Sequence, residues 1–412
     1  ALKSGERGMA TGGGLLSALL VGQIAVTVML LIGASIFVRS LHNLTTLDLG
    51  FDVRPLLRAR VDLGDVGYTP VQTDQFFREI LRRARAMPGV ERAALATAGP
   101  FGNAMSKKLS VPGHPADPST PGMFLSGVTP EFFSTLGMTL LSGRLFTEAD
   151  RAGSERVAVA NENMARHFWP AGDALGKCIQ VGGDTMPCTT IVGVVRAARQ
   201  GNIVRQTIQY ERPSEVYYLP YEQMDLETRA GPFGSVLYVR SAADDATPLV
   251  PVVRRLLEAL APDLPYPDVT AFTTALEPQL RPWRVGVLMF GVFGGIALAL
   301  AVIGLYGVLA FRVSQRTHEI GVRVALGARR ADIHWLVIGQ GLRLGAIGVV
   351  LGLAIAIALA PAIRTLVFRV SPRDPVVLAI IAAVLLVVVV LAGYLPARRA
   401  VRIDPLEALQ EL

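Results

Sequence analysis

Hydrophobic residues along this chain gather into four long runs, at 15–37, 285–311, 335–360 and 376–395, separated by mixed and polar sequence. Crossing the hydrocarbon layer as a helix takes about 20 apolar residues, and each run is long enough. Positions 378–391 hold only Leu, Val, Ile and Ala, a composition no water-soluble helix carries on its outer face. The pattern predicts an α-helical membrane protein with four transmembrane helices, one plus three. A large α+β extracytoplasmic domain is inserted between helices 1 and 2.

That inserted stretch, 41–281, is long enough to build its own core in two lobes. Near its start, 56–63 reads as a strand, Thr69-Pro70 caps a helix to about Ala86, and 90–97 reads as a second strand. The order repeats near its end: a strand at 235–241, Thr247-Pro248 capping a helix to about Leu260, and a strand at 269–273. Proline after threonine suits the N-cap and first helical positions. These units, 51–98 and 235–273, are predicted to pair into one split βαβ sheet, with 99–234 as an inserted lobe. Within that lobe Thr129-Pro130 starts a short helix ended by Gly137, and 161–168 forms another, stopped by Pro170. Phe132, Phe133, Phe168 and Trp169 read as core rather than as a ligand box.

Charge sharpens the membrane reading. Hydrophobic residues make up 51% of the chain and charged ones 18%, against about 25% in soluble domains, and the mean hydropathy is +0.43. The net charge of +7 sits beside the spans rather than on a nucleic-acid face. Arg312, Arg316, Arg323, Arg329 and Arg330 share the loop 312–334, Arg398, Arg399 and Arg402 follow the last span, and Lys3 and Arg7 precede the first. Such clusters mark the cytoplasmic side, although Arg364, Arg369 and Arg373 lie in the opposite loop. Both termini (1–14 and 396–412) and the 312–334 loop are therefore expected in the cytoplasm, with membrane lipid around the spans. The first span lacks a cleavage site and reads as a retained anchor, with a stalk to residue 40. A start at Ala1 rather than Met fits a piece of a longer chain.

The search for reaction chemistry returns little. Gly172 to Cys178 has the look of a phosphate loop, but its glycine spacing is one short and Cys stands where Ser or Thr would hold magnesium. His318-Glu319 begins like a zinc-protease motif that Val322 and Arg323 then break. No catalytic residue, metal site or cofactor is assigned. Cys178 and Cys188 flank the turn-rich 182–187 on the two arms of an expected hairpin. A disulfide in an oxidising compartment and a pair of separate thiols are both open readings. The spans carry glycines four apart, Gly291/Gly295, Gly341/Gly345 and Gly348/Gly352, which let helices approach closely. They serve packing within the four helices or a dimer face.

The most specific stretch is the charged loop. Glu319 and Arg323 stand four apart with the acid first, the better order for a helix pair, beside a narrow apolar stripe of Ile320 and Val324. It reads as a surface helix or as one that plugs into a cytoplasmic partner. Arg316-Thr317-x-Glu319-Ile320-Gly321-x-Arg323-x-Ala325-Leu326-Gly327-Ala328 resembles the loop after the second span in MacB/FtsX-type ABC transporter permeases. The tail from Pro396-Ala397-Arg398-Arg399 to Asp404-Pro405-x-Glu407-Ala408-Leu409 is similar as well. So are Val128-Thr129-Pro130-Glu131-Phe132-Phe133 and Leu141-x-Gly143-Arg144, which look like the MacB periplasmic core. The opening Leu2-Lys3-x-Gly5-x-Arg7-Gly8 resembles the C-terminal half of duplicated permeases described from acidobacteria.

The resemblance implies a MacB-like core domain at 41–281 and an FtsX-like permease domain at 282–412. It implies a permease without an active site, in the bacterial inner membrane, paired with a second permease unit as a homodimer or fused duplicate. A separate cytoplasmic ABC ATPase would carry the ATP and magnesium. Arg316, Glu319, Ile320, Gly321, Arg323 and Leu326 would couple to it. Export with a periplasmic adaptor and an outer-membrane channel is the leading expectation; lipoprotein release, and an FtsX-like scaffold controlling a cell-wall enzyme, are the alternatives.

Overall fold

A computed structural model describes residues 5–61, 63, 67–100, 105–114, 123–199, 215–230, 235–262, 267–316, 319, 323, 330–363, 370 and 373–400. The chain opens with helix α1 (Gly5–Thr45), then β1 (Leu56–Arg60), α2 (Pro70–Arg85), β2 (Val90–Ala96), β3 (Leu109–Ser110) and β4 (Phe124–Val128). Next come α3 (Phe132–Leu136), β5 (Leu140–Gly143), β6 (Val157–Asn161), α4 (Glu162–Phe168), β7 (Cys178–Val181), β8 (Thr189–Val195) and β9 (Val216–Pro220). They are followed by α5 (Leu226–Arg229), β10 (Val236–Ser241), α6 (Val250–Leu260) and β11 (Asp268–Ala271). Three long helices finish the order, α7 (Phe272–Gln315), α8 (Arg330–Ile363) and α9 (Pro375–Ala400). The chain divides into two compact units, residues 1–46 with 280–412, and 47–279.

In the inserted unit the strands run in the order β11-β1-β10-β2-β4-β9-β6-β8-β7-β3, with β5 on β8. Its first four strands pair antiparallel throughout. Strand β10 lies between β1 and β2, and β1 lies between β10 and β11, so the two strand–helix–strand units interleave as split βαβ motifs. Helices α2 and α6 cover this sheet through Phe77, Ile80, Val253 and Leu257, all at most 1% exposed. The sheet then narrows to one residue pair, Ala96 opposite Val128. Beyond it, mixed parallel and antiparallel pairing of β4, β9, β6 and β8 builds a second core around Leu125, Met164, Ile191 and Tyr217.

Local chemistry sets the helix ends. Thr69 caps α2 by a reciprocal box with Gln72, and Asn161 caps α4 by accepting from Met164 N. Gly137 ends α3 at φ +74°, the left-handed position that favours glycine. At the other expected cap, Thr247, the structure differs. Asp245 accepts from the Thr247 amide and hydroxyl, and residues Thr247–Leu249 form a 3-10 turn before α6 begins. Pro248 and Pro251 both lack an amide hydrogen, so the tighter turn leaves fewer donors to satisfy.

Among the described residues, four helices are long and apolar enough to cross a membrane: Gly14–Thr45, Phe272–Gln315, His334–Pro361 and Pro375–Tyr394. Helices α1 and α7 extend well past the apolar runs, because their polar flanking turns stay helical. The buried seam joins Ile24, Val28 and Ile32 of α1 to Leu305 of α7, Val349 of α8 and Leu385 of α9. Around it lie exposed Leu288, Ile303, Val350 and Leu391, each at least 65% open. A continuous apolar exterior of this kind belongs in lipid.

Candidate functional site

Glu319 is the hub of the described part of the loop. Arg323 Nη2 donates to Glu319 Oε1 at 2.6 Å, and Arg316 Nε lies 3.8 Å from Oε2. All three side chains are about half exposed, so the cluster holds a charge pattern on a surface and adds little stability. Ile320, Gly321 and Leu326 lie outside the described residues.

The glycines divide sharply. A Cβ at Gly348 would meet Ile24 Cβ at 2.7 Å, and one at Gly352 would meet Val28 Cβ at 2.7 Å and the Ala25 carbonyl at 2.8 Å. Gly345 faces Val389 of α9 and Gly341 faces Leu309 of α7. Helix α8 therefore seats three neighbours on its glycines. Gly291 and Gly295 meet nothing within 4 Å. They share the outer side of α7 with Leu288, Val292 and Ile296, so packing inside one bundle is not their role.

Sequence reasoning missed how α1 meets α7. Phe37 covers Gly286 and Phe290 covers Gly33, and the two rings stack with centroids 5.2 Å apart. The signal was present: each helix carries Gly followed four residues later by Phe, on one face. Polar staples flank the seam. Arg312 Nη2 donates to Ser17 Oγ at 2.6 Å between α7 and α1, and Arg39 of α1 pairs with Asp374, the residue before α9.

In the inserted unit Cys178 and Cys188 are joined by a disulfide, Cα atoms 5.4 Å apart, at the base of the β7–β8 turn. The stretch resembling a phosphate loop is a closed turn. Gly176 N donates to Ile191 O, Lys177 N to Ala174 O and Leu175 N to Asp173 Oδ1, so these amides cannot cradle an anion. The Gly143-Arg144 motif is a clamp. Arg144 grips Asp150 with two bonds of 2.8 and 2.9 Å, and Thr147 N adds a third. The guanidinium holds the Asp150 carboxyl below its ordinary range against the opposing effect of burial, with the Thr147 amide helping.

The MacB-like periplasmic core domain family matches residues 15–256, and the FtsX-like permease C-terminal family matches 291–405. The pyoverdine export ATP-binding/permease protein PvdT of Pseudomonas entomophila is 27% identical over 299 residues, 71% of this chain and 43% of that protein. The macrolide export ATP-binding/permease protein MacB of Rhodopseudomonas palustris is 29% identical over 297 residues, 69% of this chain and 42% of that protein. This chain thus spans less than half the length of these relatives. The periplasmic region of MacB from Actinobacillus actinomycetemcomitans aligns with a TM-score of 0.39 at 17% identity, covering 56% of this chain and 94% of that one. With one family matching more than half of its residues and the other its last three helices, the chain belongs to the MacB/FtsX-type ABC transporter permeases.

Proposed function

We propose that this chain is the permease of an ABC-type exporter in the bacterial inner membrane. An ATP-binding unit in the cytoplasm docks on the 312–334 loop, and its closure on ATP and magnesium moves the first two membrane helices. The extensions at 39–47 and 275–284 pass that movement to the extracytoplasmic domain, which pushes a small molecule, peptide or lipid-linked substrate outward. A second permease unit completes the assembly, and a periplasmic adaptor and outer-membrane channel receive the cargo. The reading is carried by the succession of a MacB-like region and an FtsX-like region over four spans. The names of the relatives, export ATP-binding/permease proteins, support the ATP-binding unit and the outward direction. The disulfide supports an oxidising location for the inserted domain.

Glu319 and Arg323 are the coupling residues, with Arg316 holding the acid between two cations. The test is Glu319→Arg or Arg323→Glu, assayed with the ATP-binding unit in nanodiscs. Loss of permease-stimulated ATP hydrolysis with normal membrane insertion is expected. Unchanged stimulation together with unchanged partner binding refutes the coupling role. Stimulation that depends on a bound lipoprotein or cell-wall hydrolase would replace export by one of the two alternative activities.

A further inference from the structure

A cleft of about 620 Å³ opens in the inserted unit, within the range of small-ligand sites. One wall is the β7–β8 turn; the other combines residues 152–156 with the segment from Leu219 to Asp225. Both walls are fixed in advance. The Gln223 amide donates to Glu155 O at 2.8 Å and Ser154 Oγ at 3.0 Å, while its oxygen accepts from Val157 N at 3.2 Å. Across the cleft, the Gln180 amide donates to the carbonyls of Asp184 and Met186, and the Cys178–Cys188 bond closes the base of the turn.

The lining mixes apolar side chains with polar and charged ones, and one of those charges is unspent. Met224, 6% exposed, and Leu219 form the floor, and Met186 stands on the rim. Lys107 is engaged by Asp225 at 2.7 Å, and Glu222 is engaged by Arg78 at 2.7 Å and by Arg229. Burial pushes the Asp225 carboxyl up, but bonds from Lys107 and Thr228 outweigh it and hold it at about 2, so that pair stays charged and closed. Among the described residues, Arg156 is the lining cation with no carboxylate partner. Its planar fork suits a carboxylate or sulfonate, and methionine side chains adapt to flexible alkyl chains.

We propose that this cleft binds a small acidic amphiphile, its anionic group on Arg156 and its apolar chain over Met186 and Met224. The site stands on the inserted unit alone and does not depend on the ATPase-coupling reading.

The test uses the full chain in lipid nanodiscs with methyl-labelled methionine, the Met186 and Met224 signals being assigned through Met186→Leu and Met224→Leu. Octanoate is the probe and octyltrimethylammonium its cationic counterpart of equal chain length. Octanoate is expected to shift both methyl signals saturably. Arg156→Glu should weaken that binding by about ten-fold or more, the loss of one charge-assisted pair. Arg151→Glu, one loop turn away and outside the lining, should leave it within about two-fold. An equal response to octyltrimethylammonium, an absent or unsaturable shift, or unchanged affinity in Arg156→Glu overturns the assignment, whatever the outcome of the ATPase assay.

Discussion

Helices α7 and α8 carry glycines at the same spacing, yet the structure uses them in opposite ways. Those of α8 take in backbone and side chains of three neighbours, so one side of this helix is a shared packing surface of the bundle. Gly291 and Gly295 of α7 look outward among Leu288, Val292 and Ile296. Spacing alone therefore announces that a helix can be approached closely, and the surrounding face decides by whom. For α8 the answer lies within one chain. For the outer side of α7 it is lipid or the second permease unit of the proposed assembly.

Substitutions should separate these cases in a fixed order, read as unfolding free energy in mixed micelles. Gly352→Val drives a side chain into the Ala25 carbonyl. Main chain cannot rotate away, so a loss of about 3 kcal/mol is expected, the upper part of the overpacking range. Asp150→Asn in the inserted unit gives a polar counterpart. It breaks the two-bond clamp on Arg144 and should cost about 2 kcal/mol. Because the folded carboxyl is held below its ordinary value, its contribution is full above the unfolded pKa of about 3.9 and fades as pH falls through the lower folded value. Wild type and Asp150→Asn should differ at neutral pH and converge in acid. A gap that persisted at low pH would assign the cost to packing instead.

Gly33→Ala meets a ring that can shift, Phe290, so about 1 kcal/mol is expected. Gly295→Val should change the stability of the single chain by no more than about 0.5 kcal/mol. If it abolishes self-association measured by cross-linking while stability holds, the outer side of α7 faces a second copy. If association is intact, that side faces lipid. Destabilisation by Gly295→Val as large as that by Gly352→Val would erase the distinction between the two helices.

The parts of the fold that were legible in the sequence are those set by neighbours along the chain. The spans follow from runs of apolar residues, and the ends of α2, α3 and α4 from Thr69, Gly137 and Asn161. Thr247 misled because its own donors are captured by Asp245 two residues earlier, a competition that the Thr-Pro pattern does not display. The reciprocal Phe37–Gly286 and Phe290–Gly33 contacts were written in the spacing of each helix, but only pairing the helices gives the spacing meaning. The continuation of the sheet through Ala96 and Val128 is a single long-range pair. The cleft joins Lys107, Arg156, Met186 and Gln223, positions that no local motif connects. Of the residues proposed for coupling, the Glu319–Arg323 pair was legible through its helical spacing, and the structure adds the approach of Arg316.

The claim at the centre of this account is that the bundle is driven by an ATP-binding unit. Mass spectrometry of the complex purified from native membranes in mild detergent tests it most directly. A stoichiometric ATP-binding region, on a separate polypeptide or on the same one, together with an adaptor on the extracytoplasmic side, is the expected result. An intact complex with no ATP-binding component would contradict the account and leave the 312–334 loop without the partner proposed for it.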